Sequence, residues 1–449
     1  MRRFAPLAIV LAVYLAVGYL YAVNTPPWQA PDEPAHYNYI RQLAAGEFPV
    51  IEAGDYDQEY QSEVISSRFD PRYSVESFEY EDYQPPLYYL VQTPVFRLFE
   101  GNLQALRLVS VLLGTGVVIL TYLVASRLFP GRDWLALTAA VFVAFLPQHV
   151  AMLASVNNDS LAELLIAAIV LLLFAVASGR EQSTDGRQEL EYWPLVGLGI
   201  LLGLGFLTKV TVYTLAPVAG IVLLWRYWHR WRAFILACML VFGIAIVIGV
   251  GWWIRNLVVY GGVDLLGTAA HNAVVVGQPR TAQWISELGL GETLKAFFQT
   301  TFQSFWGQFG WMGVVMPAWV YWPLLAFTSL TLAALLKLAI QPDGLRSAVG
   351  LRRVRPVAGL LILGGTLLMS LAVYLTYNLT FVQHQGRYLF SALVPIAVGV
   401  ALAWGLLIQP LTKRYPRAGY LLPLGLGLLL VGLDLLALYR FIIPALTVG

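Results

Sequence analysis

The sequence predicts an all-α, polytopic membrane protein with about eleven spans, and three observations support this fold class. Hydrophobic residues make up 58% of the 449-residue chain and charged residues only 12%, whereas soluble proteins contain roughly a quarter charged residues. Apolar stretches of about 20 residues, long enough to cross a bilayer as helices, recur along most of the chain. Trp, Tyr and Phe together reach 13%, which fits many aromatic belts at membrane interfaces.

Eleven segments have the apolar character of a spanning helix. The first is too long for the apolar core of a signal peptide and lacks a small-residue cleavage site, so we interpret it as a retained helix. The segments are residues 4–23, 105–126, 134–151, 160–179, 193–208, 211–227, 233–254, 316–338, 357–378, 388–408 and 419–440. Residues 86–99 are also apolar but short, and they contain Pro94 and Arg97. We expect them to form a helix lying in the membrane interface.

Positive charges predict the orientation of these spans. With the N-terminus in the cytoplasm, 17 of the 28 Lys and Arg residues fall in short cytoplasmic loops, as the positive-inside rule requires. They are Arg2, Arg3, Arg127, Arg132, Arg180, Arg187, Arg226, Arg230, Arg232, Lys337, Arg346, Arg352, Arg353, Arg355, Lys413, Arg414 and Arg417. Making 86–99 a full span would invert every later loop, so the count argues against it.

The predicted topology is a single transmembrane domain over residues 1–449 with two large outer loops, at 24–104 and 255–315. We expect a multi-pass protein of the inner or plasma membrane. The net charge of +2 gives no indication of nucleic acid binding. The single cysteine, Cys238, can form no internal disulfide. The acidic part of the first outer loop, 52–82, is predicted to be exposed, with low local order at 55–63, where apolar anchors are few.

An acidic pair follows the first span directly, in the stretch PDEPAHYNYIRQLAAG. Asp32 is suited to cap a helix that has Glu33 and Pro34 in its first turn and ends at Gly46. The apolar spacing predicts an amphipathic helix over 33–45, resting on the membrane surface. Asp32 could also be only a helix cap; for the isolated motif, a cap and a functional group are about equally favoured.

Other polar residues collect at the predicted outer ends of spans. Arg255 alone could extend to lipid headgroups, but Lys209 lies between two closely joined spans, where a charge needs water or a partner. We therefore predict one outward cavity lined by Asp32, His36, Lys209, Arg255, His384 and Arg387. Further candidate pocket residues are Gln84, Asn157, Asn158, Asp159, Trp306 and Trp311; Asp159 could also be only a helix cap.

Cations beside a carboxylate at a membrane surface suit transfer of a group carried on a lipid phosphate. The cations would stabilise charge that develops on the leaving phosphate. Asp32, or Glu33 as the second choice, would accept a proton from an acceptor hydroxyl. His36, Lys209 and Arg387 would lie with Arg255 and His384 around the donor phosphate.

Several segments together resemble a bacterial polytopic family within the GT-C clan of glycosyltransferases, over residues 1 to about 405. These segments are PDEPAHYNYIRQLAAG, YQPPLYYL, SVNNDSL, LTKVT, SFWGQFGWMG and QGRYLF. The clan includes protein O-mannosyltransferases and the aminoarabinose transferase of lipid A. The resemblance implies an inverting enzyme that uses a polyprenyl-phosphate sugar donor at the outer face. It also implies that PDE supplies the base and that two surface helices, about 33–45 and 86–99, follow.

Two other functions fit part of the sequence. A transporter or flippase of a lipid-linked sugar would use the same cations without a base, but such proteins show internal repeats and broken helices near the midplane, and neither is visible. A scaffold subunit would not need Lys209 between adjacent spans. The expected partners are the lipid-linked donor, membrane lipids and an unidentified hydroxyl acceptor. Asp32 with Asp159 could bind a divalent metal, yet no metal or other cofactor is expected.

Overall fold

The protein is predominantly helical within residues 4–178, 191–340 and 356–447, which the computed structural model describes. The helices of the first half are α1 (Ala5–Asn24), α2 (Glu33–Ala45), α3 (Gln58–Ser66), α4 (Leu87–Leu98), α5 (Leu103–Leu128), α6 (Asp133–Ala144), α7 (Pro147–Leu153), α8 (Asp159–Ser178), α9 (Tyr192–Phe206) and α10 (Val210–Tyr227). The remaining elements are α11 (Trp231–Tyr260), α12 (Thr268–Val274), α13 (Thr281–Trp306), β1 (Gln308–Phe309), β2 (Val314–Val315), α14 (Ala318–Ile340), α15 (Val357–Thr380), α16 (Gly386–Leu407), α17 (Gln409–Arg414) and α18 (Pro416–Leu446).

The multi-pass membrane fold is confirmed. Within the described ranges, nine helices are long and apolar enough to cross a membrane: α1, α5, α8, α10, α11, α14, α15, α16 and α18. The pair α6 and α7 qualifies as a tenth span, bent by 63°. The eleventh predicted segment corresponds to α9, which has only 15 residues. Every predicted segment thus coincides with an apolar helix or bent pair, while the count of eleven spans stays a prediction.

A proline causes the break between α6 and α7. Pro147 occupies the first turn of α7, where its missing N–H and fixed φ are tolerated. The preceding Leu146 is extended, at φ −72° and ψ 115°, because a residue before proline avoids the helical region. The bend directs α7 back beside α5 and α1. Helix α6 is buried from Trp134 to Ala144, so the core of the bundle lies around it.

The first outer loop contains three helices that are not spans. The expected helices at 33–45 and 86–99 are present as α2 and α4, which pack against each other. The position of α2 at the membrane surface stays a prediction. The helix is buried on several faces: Ala35, His36, Tyr39 and Ile40 are at most 2% exposed. The cause is the loop itself, which folds over α2 and covers its polar face.

The segment 55–63 is better anchored than its sequence indicates. Asp57 caps α3 by accepting hydrogen bonds from the backbone N–H groups of Glu59 and Tyr60, and Gln61 is buried. The acidic side chain of Glu63 is exposed, as expected. Elsewhere in 52–82 four aromatic side chains take part in burial, so this part of the loop is not uniformly exposed; they are Phe69, Phe78, Tyr80 and, partly, Tyr73.

The second outer loop is mostly helical. Helix α11 continues to Tyr260, so Arg255 lies inside a helix and not at a loop mouth. Helix α13 fills most of the rest and is kinked at Gly289, which has φ 83°. A two-stranded antiparallel hairpin, β1–β2, follows it. Its turn contains Trp311 in a left-handed conformation, with φ 52°.

Eight of the 17 cations used to predict orientation lie outside the described residues. They are Arg2, Arg3, Arg180, Arg187, Arg346, Arg352, Arg353 and Arg355. The orientation of the bundle, and the division into one transmembrane domain with two outer loops, therefore stay predictions.

Gly386 allows the start of α16 to approach α13, and we predict that Gly386→Ala destabilises the protein. A Cβ at this position would overlap the backbone oxygen of Thr301 and lie 2.5 Å from the backbone nitrogen of Phe305. Backbone atoms cannot move aside cheaply, so the free energy of unfolding should fall by about 1–3 kcal/mol. Thermal unfolding in detergent measures this loss. Gly399→Ala, also in α16, is the control, since its Cβ would meet only Leu335 at 3.6 Å; equal melting temperatures would contradict the prediction.

Candidate active site

A cavity of about 660 Å³ lies where the outer loops meet one end of the helix bundle. The link between α1 and α2, the starts of α8, α10 and α16, and the end of α15 contribute to its walls. Eight of the thirteen predicted site residues line it: Asp32, His36, Gln84, Asn157, Asp159, Lys209, Trp311 and Arg387. Distant parts of the chain thus converge here, as expected.

Asp32 occupies the cap position of α2, but its side chain does not cap the helix. Its carboxylate instead accepts a hydrogen bond from Arg387 Nη2 at 2.9 Å and one from the hydroxyl of Tyr80 at 3.1 Å. The backbone adopts φ 67°, in the left-handed region, which Asp tolerates better than most residues but at an energetic cost. In this conformation the carboxylate lies in the cavity and does not cap α2.

The charge state of Asp32 follows from these partners. Burial opposes ionisation, but the guanidinium of Arg387 and the hydrogen bonds to Asp32 more than offset it, so the pKa of Asp32 is lowered from its ordinary value. Arg387 also donates to Gln385 Oε1 at 2.7 Å. Its side chain is only 6% exposed, so the pair is largely shielded from solvent.

A second ion pair lines the same cavity. Lys209 Nζ lies 2.6 Å from Asp159 Oδ1. Lys209 itself is extended between α9 and α10, with φ −162° and ψ 145°, and this break in the helices places its side chain at the cavity. Asn157 accepts a hydrogen bond from the backbone N–H of Asp159 at 2.8 Å. Asp159 therefore pairs with Lys209 in addition to lying at the start of α8.

His36 lines the cavity as a neutral group. Its Nδ1 lies 2.8 Å from the hydroxyl of Tyr89. Burial lowers the pKa of His36 to about 3 despite the nearby carboxylate of Asp32. The histidine therefore brings hydrogen-bonding capacity to the cavity but no positive charge at neutral pH.

Glu33 lies outside the cavity, although it adjoins Asp32 in the chain. It is fully buried and forms a two-point ion pair with Arg107, with Nε–Oε1 at 2.8 Å and Nη2–Oε2 at 2.6 Å. The backbone N–H groups of Trp28 and Val156 also donate to it, each at 3.1 Å. With its oxygens occupied in this way, Glu33 serves to hold the loop in place.

Four further predicted residues do not line the cavity. Arg255 donates to the backbone oxygen of Pro49 and lies over the rings of Trp252 and Tyr260, at 4.9 and 5.1 Å. His384 is 5% exposed, and burial lowers its pKa. Trp306 packs among rings such as Phe142 inside the bundle. Asn158 is buried and donates to Tyr89 at 3.4 Å.

The structure adds lining residues that sequence reasoning missed. Glu81 is the most informative, because it was grouped with the exposed acidic part of the loop. Its position four residues before the PP of YQPPLYYL was the signal available. The others include Tyr80, Tyr83, Tyr377, Gln385 and Tyr388.

Metal binding has no evident ligand set in the described ranges: no group of three or more His, Cys, Asp or Glu side chains is arranged to hold an ion. The two carboxylates considered for this role, Asp32 and Asp159, are each paired with a cation. The expectation that no metal is used stays a prediction.

Comparisons with known proteins agree with the resemblance found in the motifs. Residues 83–253 match the family model of dolichyl-phosphate-mannose-protein mannosyltransferases. An undecaprenyl phosphate-α-4-amino-4-deoxy-L-arabinose arabinosyl transferase from Pseudomonas paraeruginosa (strain DSM 24068 / PA7) is 28% identical over 344 residues, 76% of this chain. The chain covers about half, 52%, of that relative's length.

One solved structure is similar over most of the chain. The oligosaccharyltransferase of Archaeoglobus fulgidus in its apo form covers 99% of this chain with a TM-score of 0.49 and 14% sequence identity. This chain in turn covers 55% of that protein. The sequence matches, together with the helical membrane fold, indicate the GT-C clan.

Breaking the buried pair of Glu33 and Arg107 should destabilise the protein strongly. Glu33→Gln leaves the Arg107 guanidinium buried without a counter-charge, which typically costs about 3–5 kcal/mol of unfolding free energy. The melting temperature in detergent measures the change. Glu76→Gln is the matched control: Glu76 also pairs with an arginine, Arg41, but its side chain is 76% exposed, so little change is expected. A similar melting temperature for both variants would refute the assignment.

Proposed function

We propose that this GT-C clan protein transfers a sugar from a polyprenyl-phosphate donor to a hydroxyl acceptor at the outer face of the membrane. The observation that carries the proposal is the pair of salt bridges in one cavity: Asp32 with Arg387 and Asp159 with Lys209. The matched families support it, since the names of both describe transfer of a sugar from a polyprenyl or dolichyl phosphate.

The proposed step is a single displacement with inversion at the anomeric carbon. The acceptor oxygen forms a bond to that carbon while the bond from the carbon to the phosphate oxygen breaks. The acceptor's proton passes to Asp32, and polyprenyl phosphate leaves with the bonding electrons. Arg387 and Lys209 stabilise the negative charge that grows on the phosphate in the transition state.

Donor binding would also prepare the base. In the free protein Arg387 holds Asp32 ionised, and its pKa is lowered from the ordinary value, which makes it a weak base. A donor phosphate that binds Arg387 competes with Asp32 for the guanidinium. Loss of that contact raises the pKa of Asp32 and its affinity for a proton. The carboxylate would thus become effective only when the donor is present.

Membrane-spanning helices form one side of the cavity, where the donor's lipid chain would leave it. On one side the lining comes from the membrane-spanning helices α10 and α15, and includes Thr211, Val373 and Tyr377. Val373 is 46% exposed and Tyr377 38% exposed, so their side chains leave room on this side of the cavity. We propose that the polyprenyl chain leaves between these helices while its phosphate stays near Lys209.

The charge pattern supports a cavity on the outer side. The cations Arg127, Arg132 and Arg226, at the ends of α5, α10 and the following turns, lie at the opposite end of their helices from the cavity. Positive residues favour the cytoplasmic side. An N-terminus in the cytoplasm therefore follows as part of the proposal, in the inner or plasma membrane.

A flippase is the alternative that the cavity argues against. Its charged lining, Asp32, Asp159, Lys209 and Arg387, lies at one end of the bundle, whereas a transport route would need polar groups along the bilayer depth. Buried polar pairs do lie deeper, as in His149 with Glu163 at 2.6 Å, but they do not line the cavity. A scaffold would have no need of two salt bridges facing a cavity.

Removing the proposed base should slow transfer without removing the donor. Asp32→Asn keeps the size of the side chain but loses the proton-accepting carboxylate, so we expect a rate loss of about 10²–10⁴-fold. The assay follows release of undecaprenyl phosphate from a labelled undecaprenyl-phosphate sugar, with cell-envelope extract as the source of acceptors. Binding of the donor is measured in parallel.

The control for this substitution is Asp70→Asn in the same outer loop. Asp70 also pairs with an arginine, Arg72, at 2.9 Å, but it does not line the cavity, so full activity is expected. Undiminished transfer by Asp32→Asn would eliminate Asp32 as the base. Movement of the lipid across liposome membranes by the wild type, with no transfer, would support the flippase instead.

Lys209→Ala should weaken binding of undecaprenyl phosphate and slow transfer as well. The ammonium interacts with the phosphate in the ground state and more strongly in the transition state. Lys295→Ala is the control, because Lys295 pairs with Glu292 on the surface and is 67% exposed. Binding in phosphatidylcholine nanodiscs, measured at two salt concentrations, gives the result. Equal affinities for the Lys209 and Lys295 variants would exclude Lys209 from the phosphate site.

A further inference from the structure

Glu81 is a cavity-lining acid to which the proposed mechanism gives no task. It lies in the first outer loop between Tyr80 and Asp82 and contributes to the same cavity wall as Asp32. Its Oε2 atom is shielded from solvent and has no hydrogen-bond partner in the part of the chain that the structure describes. A buried polar atom without a partner is costly, so its presence calls for an explanation.

The surroundings of Glu81 contrast with those of the other two cavity acids. Asp32 and Asp159 each have a cation within hydrogen-bonding distance, whereas no salt bridge includes Glu81 among the described residues. The charged groups that interact with it are Asp32, Asp82, Asp159 and Lys209. The tyrosines that feel its charge are Tyr80, Tyr83, Tyr89 and Tyr377.

These surroundings favour the neutral acid. Burial is the main cause that raises the pKa of Glu81 to about 8, and the negative charge of Asp32 raises it further. At pH 7 the side chain is therefore mostly protonated. A protonated carboxyl group offers one O–H donor together with an acceptor oxygen.

We propose that Glu81 determines sugar specificity by hydrogen-bonding a hydroxyl group of the sugar carried by the donor. This inference rests on the proposed function. A sugar hydroxyl both donates and accepts, so it matches the two functions of a neutral carboxyl group. A site built to bond a hydroxyl rejects an analogue that lacks it, because its own buried polar atom is then left unpaired.

Other donor groups fit Glu81 less well. The phosphate is better served by Arg387 and Lys209, which carry the opposite charge. A protonated amine on the sugar would be bound most strongly by ionised Glu81, and a third negative charge beside Asp32 and Asp159 opposes that ionisation. The sugar hydroxyl is thus the group that needs no change in the protonation of the cavity.

Binding of three lipids by wild type and variants tests the inference. The probes are undecaprenyl phosphate, undecaprenyl phosphate mannose and undecaprenyl phosphate 4-amino-4-deoxy-L-arabinose, in phosphatidylcholine nanodiscs at pH 7. We expect at least one sugar-bearing lipid to bind more tightly than undecaprenyl phosphate. Glu81→Leu should weaken that lipid by about 10- to 100-fold and leave undecaprenyl phosphate unchanged, which also shows that the variant is folded. Glu81→Gln, which keeps a donor and an acceptor, should stay close to wild type.

The pH dependence supplies a second readout. Glu81 is protonated below its pKa of about 8 and ionised above it, so wild-type affinity for the sugar-bearing lipid should fall about tenfold from pH 7 to 9. Glu81→Gln cannot ionise and should show no such fall. Asp82→Asn is the matched control: burial raises the pKa of Asp82 to about 8 as well, but Asp82 does not line the cavity, so its variant should keep the fall.

The outcomes separate this inference from the proposed function. The proposed function would be wrong if the wild type did not bind undecaprenyl phosphate and Lys209→Ala had no effect on transfer. Normal binding of undecaprenyl phosphate, with sugar-bearing lipids that bind no better or are insensitive to Glu81→Leu, would overturn only the role of Glu81. An effect of Glu81→Gln confined to the amino sugar would also overturn it, because an ionised Glu81 would then pair with the amine.

Discussion

The buried ion pair of Glu33 and Arg107 is the interaction on which the site depends. Arg107, in α5, also donates to backbone oxygens at the end of α1, among them Ala22 at 3.1 Å and Thr25 at 2.7 Å. Glu33 in turn accepts from Val156, just before α8. Since neither charge can remain unpaired in this interior without a large cost, the pair holds the ends of α1 and α2 against α5 and the segment leading into α8. The cavity forms between these fixed elements.

This constraint explains why two adjacent acids have opposite environments. Glu33 points into the bundle, so Asp32, its neighbour, must take a left-handed conformation with φ 67° for its carboxylate to reach Arg387. The strain of that conformation is maintained by the surrounding contacts. The same acid type therefore serves as a structural anchor at Glu33 and as an ionised, cavity-facing group at Asp32. Proline on either side of the pair, Pro31 and Pro34, limits the alternatives available to the backbone.

Much of the architecture could be predicted because its signals are local. Apolar length identifies each span without reference to any other, and the polar residues at the span ends could be assigned to one side, which brought Asp32, Lys209 and Arg387 into one prediction. The partner of Glu33 could not be found this way, since Arg107 lies 74 residues further on within a segment interpreted as membrane-spanning. Arg255 and His384 were misplaced for a related reason: sequence gives the end of a span but not which way the side chain there points.

The cavity balances its own charge before any ligand binds. Asp32 and Arg387 form one pair and Asp159 and Lys209 another, and His36 stays neutral because burial lowers its pKa to about 3. An anionic phosphate must therefore exchange partners with a carboxylate and cannot simply fill an open cationic site. Separating an existing ion pair offsets part of the electrostatic gain, which weakens binding of a bare phosphate. Under the proposed function, a donor whose sugar also hydrogen-bonds unpaired polar groups in the cavity, such as Glu81, would recover that loss and bind more tightly than free phosphate.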